Sequence, residues 1–301
     1  VWLIAGDRLR NPRQAVLGVA VAIAAVYAVR AWGSGTDEAP LARARNFYGI
    51  VSVWDDNEPW YPAPCRIMLS GHITHGRQFV EPSRRNTPLS YYGHGTGVAR
   101  AATALRGKPQ ARFGIVGLGV GTLAAFVDPG QSARFYEINP DVQRFANEYF
   151  WFLRDCRGKA EVVLGDGRLS LEREARQRFD LLVLDAFTGD AIPVHLLTRE
   201  AMDLYQRHLS PEGIIAFNIT NTFLDLEPVV RGLAEHAGMN WTRIATPDDP
   251  DTLANRADWM LVTRNEAFLA ANRPQPPPDA RRESAALLWT DHQSNLFEIL
   301  R

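Results

Sequence analysis

Glycines and carboxylates recur in the middle of the chain in a pattern that could bind a nucleotide and move a proton. Gly117, Gly119 and Gly121 follow one apolar run, and Glu137 closes the next. Glycines let a ligand approach the backbone closely, and a carboxylate about twenty residues later can accept hydrogen bonds from ribose hydroxyls. Taken alone, the glycine run is equally compatible with a purely structural turn.

Two further apolar runs also end in acids. Asp166 precedes Gly167, and Asp185 and Asp190 stand at the two ends of a short loop. A lone aspartate after a strand is most often a helix cap, but four consecutive strand ends with glycine or acid favour one shared ligand site. We expect Glu137 to bind a ribose diol and Asp166 to bind an adenine amino group. Asp185 and Asp190 would then face the reacting atoms.

The motifs that would bind phosphate or metal are missing from the sequence. There is no Gly-x-x-x-x-Gly-Lys-Ser/Thr run and no basic cluster beside the glycine turn, which favours a nucleoside over a triphosphate. His72, His75 and His94 lie near glycines, but no carboxylate stands at a matching spacing. We therefore predict a site without a metal ion.

Alternating strands and helices must position these acids. Helices are predicted over 98–105, 121–127, 140–152, 169–177, 199–208 and 228–237. Strands are predicted over 111–116, 133–138, 160–164, 179–184, 213–219 and 259–263. Continuous apolar strands in a βαβ order indicate an α/β fold with a Rossmann-like, doubly wound, mostly parallel sheet. In such a sheet a ligand binds beyond the carboxyl ends of the strands.

The domain organisation is predicted from shifts in composition. A membrane segment covers 1–32 and a Gly, Ser and Pro-containing linker covers 33–45. A small antiparallel β domain over 46–97 and the Rossmann-like domain over 98–270 follow, and a tail covers 271–301. Trp289 and its polar neighbours in the tail could fold back on the domain.

The uncharged run from Ala15 to Val29 predicts a transmembrane helix, with a buried helix or a signal-peptide core as alternatives. The first residue, Val1, suggests that this helix is the last of a larger membrane domain. The charges on either side of this run do not decide its orientation in the membrane.

Composition excludes some classes of partner. With 33 basic and 34 acidic residues the chain has a formal net charge of −1, which supplies no general attraction to nucleic acid. The two cysteines, Cys65 and Cys156, lack a metal-binding spacing, and unpaired thiols are expected rather than a disulfide. With 301 residues we expect one main core with smaller attachments.

The order of these motifs resembles a known family. Gly117-Leu-Gly-Val-Gly121, Tyr136-Glu137, Gly165-Asp166-Gly167 and Leu184-Asp185 together are similar to the class I S-adenosylmethionine-dependent fold. Gly71 to Gln78, the Tyr91-Tyr92 pair and the loop from Asp185 to Asp190 narrow the resemblance to the polyamine aminopropyltransferase (spermidine synthase-like) family. The runs 185–198 and 289–296 resemble its bacterial branch that is fused to membrane helices. This resemblance implies a location at the bacterial inner membrane with the catalytic part in the cytoplasm.

The resemblance implies a homodimer that transfers an aminopropyl-type group from decarboxylated S-adenosylmethionine, or S-adenosylmethionine, to an amine or polyamine and releases methylthioadenosine. It implies a nucleoside pocket and a catalytic group. The pocket would contain Gln78, Gly117, Gly119, Gly121, Glu137, Asp166 and Gly167, and the catalytic group Asp185 as general base, Tyr91 at the amine and Asp190 as a second acid. Carboxylates suit this chemistry because they attract the ammonium form of the amine and accept its proton.

Three features depart from the family's pattern. Val120 stands where the family has an acid that holds the amine of the donor, Tyr92 replaces a histidine, and the loop between Asp185 and Asp190 is lengthened. Two alternatives therefore stay open. One is an enzyme that uses intact S-adenosylmethionine for methyl transfer or lyase-type cleavage, and the other is a non-catalytic domain that senses a nucleoside or polyamine.

Overall fold

A computed structural model describes residues 39–71, 73–187, 193–273 and 285–301. The predicted membrane segment over 1–32 and the predicted catalytic residue Asp190 lie outside these ranges. Within them, no helix has the length and apolar character needed to cross a bilayer. Residues Pro40–Arg301 cluster into one structural unit.

The small β domain is a four-stranded antiparallel sheet with its strands in chain order. The strands are β1 (Ala42–Asn46), β2 (Gly49–Asp56), β3 (Cys65–Ser70) and β4 (Ile73–Phe79). The prediction of a linker over 33–45 is wrong over residues 42–45, because these residues belong to β1. Ala42 and Ala44 alternate with arginines along β1, and their side chains pack against the core while β1 pairs with β2.

The main domain is built on a seven-stranded sheet in the order β10-β11-β9-β8-β5-β6-β7. Its strands are β5 (Arg112–Val116), β6 (Ser132–Glu137), β7 (Lys159–Leu164), β8 (Phe179–Leu184), β9 (Leu209–Asn218), β10 (Asn240–Thr246) and β11 (Ala257–Thr263). Strands β5 to β9 are parallel, and β10 and β11 are antiparallel. The prediction of a mostly parallel Rossmann-like sheet is confirmed.

Helices cover both faces of this sheet. They are α1 (Gly97–Ala104), α2 (Pro140–Tyr149), α3 (Gly167–Arg173), α4 (Arg199–His208), α5 (Glu227–His236) and α6 (Glu266–Ala271). In β8, Leu181 and Val183 enter the core shared with α1 and α2, whereas Leu182 and Leu184 enter the core shared with α4 and α5. The continuous apolar sequence of β8 follows from this burial on both sides.

Several elements of the main domain differ from the prediction, among them α6 (Glu266–Ala271), which was not predicted. The helix expected over 121–127 is a short 3-10 turn, Thr122–Phe126, because Val127 is extended and Pro129 follows soon after. Strand β10 was not predicted. Its burial alternates in part, and it lies at the sheet edge beside β11, so its sequence lacks the continuous apolar run of the inner strands.

The end of the chain folds back on the main domain, as predicted. Trp289 is buried, its carbonyl accepts a hydrogen bond from Arg199 N at 2.8 Å, and Leu287 N donates to Pro228 O at 2.9 Å. This attachment brings the tail against α4 and α5.

Candidate active site

A cavity of about 360 Å³ opens beyond the carboxyl ends of the parallel strands. The sheet order runs from β5 to β6 and β7 on one side and from β8 to β9 on the other, so the strand order reverses between β5 and β8. Ligands of open α/β sheets bind at such a point, and this volume is within the range of small-molecule sites.

The loop after β5 forms one wall of the cavity. Gly117 and Gly119 have positive φ angles of 100° and 54°. A Cβ atom would lie 2.5 Å from Asp185 O at Gly117 and 2.4 Å from His75 O at Gly119. Glycine is therefore required at both positions by the backbone conformation and by the close approach of neighbouring carbonyls.

Glu137, at the end of β6, fixes this loop. Its two carboxylate oxygens accept hydrogen bonds from Leu118 N at 3.0 Å and Asn139 N at 2.8 Å. Burial raises the pKa of Glu137, while the backbone N–H groups act in the opposite direction. The side chain both lines the cavity and ties the glycine loop to the start of α2.

Asp166 lies at the end of β7 and begins α3. One of its oxygens accepts from Leu169 N at 2.9 Å, and the other lies 3.2 Å from Nε2 of His195. The hydrogen bond with His195 lowers the pKa of Asp166. Gly167 follows without room for a side chain, because a Cβ atom there would lie 2.7 Å from Val116 Cγ1.

We call this half of the cavity the glycine-loop end and define it by Gly117, Gly119, Glu137, Asp166 and His195, all of which line the cavity. The opposite half, the tyrosine end, is defined by Tyr91, Tyr92, Asp185 and Asn218.

Asp185 is the centre of the tyrosine end. Tyr92 donates a hydrogen bond to its Oδ2, and Asn218 Nδ2 donates to its Oδ1 at 2.7 Å. Burial raises the pKa of Asp185 to about 6, and the bonds from Tyr92 and Asn218 oppose that rise. The carboxylate is thus held in place with a pKa suited to proton transfer near neutral pH.

The turn that presents the two tyrosines is anchored from outside the cavity. Ser90 has a positive φ of 55°, and its backbone pairs with Leu253 O and Asn255 N in the segment between β10 and β11. Trp259 Nε1 donates to Tyr91 O at 3.2 Å. A left-handed serine is uncommon and persists where surrounding contacts hold it, and these bonds supply such contacts.

Two residues of the predicted pocket, Gln78 and Gly121, are not among the described residues that line the cavity. Gln78 is fully buried and is used to join segments, donating to Arg85 O at 2.8 Å and accepting from Trp151 N at 2.9 Å. Gly121 faces Leu153. None of Gln78, Val120 and Gly121 is among the cavity-lining residues that the structure describes.

Val120 is buried, and its Cγ2 lies 2.5 Å from the position of a Cβ atom on Gly76 of β4. Its side chain therefore packs between the two sheets. The loop position where the family's acid was expected does not present a side chain to this cavity.

Two features of the site were not predicted from the sequence. One is that Tyr92 and Asn218 bind Asp185, and the other is that His195 lies beside Asp166. Asn218 carried a usable signal, because it ends the apolar run of β9 just as Asp185 follows that of β8. His195 carried none, since its meeting with Asp166 depends on the tertiary fold.

The described part of the chain contains no group of three side chains that could hold a metal ion. His75 lines the cavity, and burial lowers its pKa to about 4, which keeps its imidazole neutral at physiological pH. The ring of His94 packs edge-on to Phe126 instead. Cys65 and Cys156 are free thiols.

Comparisons with known proteins agree with this geometry, although no family model matches the sequence. The polyamine aminopropyltransferase of Vibrio vulnificus is 35% identical over 120 residues, which cover 38% of this chain and 39% of the relative. An N-terminal histidine N-methyltransferase of Emericella nidulans is 29% identical over 193 residues, 59% of this chain and 33% of the relative. The chain thus spans well under half the length of these curated relatives.

Solved structures extend the likeness over most of the chain. A probable spermidine synthase from Corynebacterium glutamicum superposes with a TM-score of 0.61 at 18% identity, covering 87% of this chain and 99% of that one. The chain has the spermidine synthase fold. A spermidine synthase from Thermotoga maritima gives a TM-score of 0.52 at 12% identity, covering 84% and 81%.

Proposed function

We propose that this protein is a spermidine synthase-like transferase that moves an aminopropyl group from decarboxylated S-adenosylmethionine to an amine or polyamine. The observation that carries the proposal is the Asp185 carboxylate, held by Tyr92 and Asn218 across one cavity from the acids of the glycine-loop end. The likeness to polyamine aminopropyltransferases in sequence and to spermidine synthases in fold supports it.

The glycine-loop end suits the adenosyl part of the donor. Glu137 and Asp166 follow adjacent parallel strands, β6 and β7, as ligands of a ribose diol and an adenine amino group would. Glu137 keeps acceptor capacity, since its two carboxylate oxygens have four lone pairs and the backbone N–H groups do not use all of them.

The transfer itself is a displacement at carbon. The lone pair of a neutral amine nitrogen attacks the methylene carbon bound to the sulfonium, and the carbon–sulfur bond breaks with its electron pair passing to sulfur. The products are methylthioadenosine and an alkylated amine that has one proton to lose. In this proposal Asp185 accepts a proton from the substrate amine, and Tyr91 and the tyrosine end hold that amine in line.

The charges that line the cavity favour a cationic ligand without a carboxylate. Glu137, Asp166 and Asp185 contribute acids, and no lysine or arginine is found among the lining residues in the described ranges. Intact S-adenosylmethionine would bring a carboxylate into these surroundings without a cation to pair with it, which is costly. This favours the decarboxylated donor, even though Val120 offers no acid for its amine.

A second candidate function is the use of intact S-adenosylmethionine for methyl transfer or cleavage. The relative from Emericella nidulans, whose name is that of a methyltransferase, favours it. A non-catalytic sensor of nucleosides or polyamines is the third candidate. Asp185 argues against it, because a base with a pKa of about 6 has no evident use in a binding site alone.

One experiment separates the three candidate functions. Purified protein is incubated with decarboxylated or intact S-adenosylmethionine and a panel of amines that includes putrescine, and products are identified by mass spectrometry. We expect methylthioadenosine and an aminopropylated amine from the decarboxylated donor. Adenosylhomocysteine, or methylthioadenosine formed from intact donor alone, would support the second candidate. Binding of donor in calorimetry without any product would support the sensor.

We also propose, from the family resemblance, that the segment from Ala15 to Val29 attaches the protein to the bacterial inner membrane, that the catalytic part faces the cytoplasm and that the protein is a homodimer. Asp190 and Gln78 retain their proposed roles as the second acid and as a residue near the nucleoside. Membrane fractionation with protease protection and light scattering of the detergent-solubilised chain test location and assembly. The chemistry requires no metal, so chelator should leave the rate unchanged.

A further inference from the structure

His195 is a cavity residue that the proposed transfer does not use. Its side chain is 47% exposed, and its Nε2 lies 3.2 Å from Asp166 Oδ2 at the glycine-loop end. Asp166 is the group to which we assign the adenine amino group, so any base that reaches Asp166 also meets the imidazole.

The backbone of His195 is held while its ring faces the cavity. Its carbonyl accepts a hydrogen bond from Arg168 Nη1 at 2.7 Å, and Arg168 is itself bound by Asp291 of the tail at 2.6 and 2.7 Å. The next residue, Leu196, is buried, and its carbonyl accepts from Tyr205 at 3.0 Å. These bonds hold the backbone of His195 at the edge of the cavity, beside Asp166.

The pair offers an acceptor and a donor side by side. The Asp166 carboxylate accepts, and a neutral imidazole with its proton on Nε2 donates. Adenine presents the complementary pair on adjacent positions, with N–H donors on the amino group at C6 and an acceptor at N1. Hypoxanthine presents the reverse, an acceptor at O6 and a donor at N1.

We propose that His195 recognises N1 of the adenine ring while Asp166 accepts from the amino group, so that the two residues together select adenine over hypoxanthine. The inference rests on the proposed function, because it takes an adenosyl ligand as given. With its proton on Nε2, the same imidazole donates to Asp166. Binding of adenine replaces that internal bond by two bonds to the base.

The test compares binding of 5′-methylthioadenosine and 5′-methylthioinosine by calorimetry, with no turnover involved. For the unaltered protein we expect a preference for the adenine nucleoside of at least tenfold, since the wrong base leaves polar groups unpaired. His195→Leu should weaken methylthioadenosine binding about tenfold, leave methylthioinosine binding nearly unchanged and so remove the preference. His195→Gln keeps an N–H donor and should restore part of it.

The control variant is His236→Leu. His236 also pairs with an aspartate, Asp203, at 2.8 Å, but neither residue is among the described residues that line the cavity. It should leave both affinities unchanged, and thermal melting of each variant checks folding.

The outcomes separate this inference from the proposed function. If the unaltered protein binds methylthioadenosine with a preference that His195→Leu preserves, His195 does not recognise the base, and the proposed transfer is untouched. The same holds if the unaltered protein binds both nucleosides equally well. If it binds neither nucleoside, the adenosyl site is wrong and both proposals fall.

Discussion

The two ends of the cavity are built in different ways. At the glycine-loop end, Glu137 is bound by backbone N–H groups 19 and 2 positions away in the chain, and Asp166 caps the helix that follows it. At the tyrosine end, Asp185 is bound by side chains 93 and 33 positions away. The proposed nucleoside site is thus built by local backbone geometry, whereas the proposed base is positioned by tertiary packing.

The same difference appears in the protonation of the two aspartates. His195 lowers the pKa of Asp166, which keeps that residue an acceptor, whereas burial raises the pKa of Asp185 to about 6. One acid is adjusted to bind and the other to exchange a proton. The comparison predicts that variants at the two ends change different measured quantities.

The largest effect is expected from Asp185→Asn. The amide cannot accept a proton, so kcat for aminopropyl transfer should fall about 10²- to 10⁴-fold. Affinity for methylthioadenosine should change less than about threefold, because the nucleoside lies at the other end. Single-turnover kinetics and calorimetry measure the two quantities, with the exposed Asp251→Asn as control. Parallel losses of rate and nucleoside affinity would contradict the division.

The reverse pattern is expected from Glu137→Gln. A glutamine has one acceptor oxygen, so Leu118 N or Asn139 N loses its partner, at a cost of about 1–3 kcal/mol. Methylthioadenosine should bind about 10- to 100-fold more weakly. The value of kcat at saturating donor should change by only a few fold. A large loss of kcat with normal nucleoside affinity would show that the ends are not separable.

Tyr92→Phe sharpens the comparison through pH. The hydrogen bond from Tyr92 lowers the pKa of Asp185, so its removal should move that pKa above about 6. Because the base form is required, the acidic limb of the kcat/KM profile should shift to higher pH, and the rate near pH 6 should fall about tenfold. Tyr61→Phe, outside the cavity, should leave the profile in place. If the acidic limb of the kcat/KM profile does not shift, or shifts to lower pH, Tyr92 does not have this role.

The smallest effect is expected from Asp291→Ala in the tail. The ion pair with Arg168 holds the pKa of Asp291 at about 2, below its unfolded value, so it stabilises the fold above about pH 4 and loses that effect as the pH falls towards 2. Because the pair is partly exposed, we expect a loss of about 1 kcal/mol in the free energy of unfolding at neutral pH.

Urea unfolding of the Asp291→Ala protein at pH 7 and pH 2.5 measures this change, and the exposed Asp251→Ala is the control. The loss at pH 7 should shrink at pH 2.5. Since Arg168 also holds the His195 carbonyl, methylthioadenosine affinity should fall two- to threefold at neutral pH. A difference that grows as the pH falls would contradict the assignment.

Much of the fold could be predicted from sequence because its signals are local. Strand β8 has the predicted bounds, Phe179–Leu184, since an unbroken apolar run between polar ends has few alternatives. Helix α4 also has its predicted bounds, Arg199–His208, where Thr198 caps the first turn. Strand β10 was not predicted because an edge strand with mixed burial has no such apolar run.

Those parts of the site that depend on local sequence could be predicted, and those that depend on long-range contacts could not. The strand-end positions of Glu137, Asp166 and Asp185 follow from the βαβ pattern alone. The bonds to Asp185 from Tyr92 and Asn218, and the meeting of Asp166 with His195, join segments whose distance in sequence says nothing about their distance in space. The placement of Gln78 near the nucleoside stays a prediction from the family resemblance, while in the fold both ends of its amide join chain segments.

The position of Val120 has a consequence for redesign. An engineer who wished to turn this chain into a conventional spermidine synthase would begin with Val120→Asp, copying the family's acid into the glycine loop. Here the new carboxylate would be forced into the apolar core between the two sheets, against Gly76. We expect this substitution to destabilise the protein and to leave the donor preference unchanged, so changes of substrate are better sought at the tyrosine end.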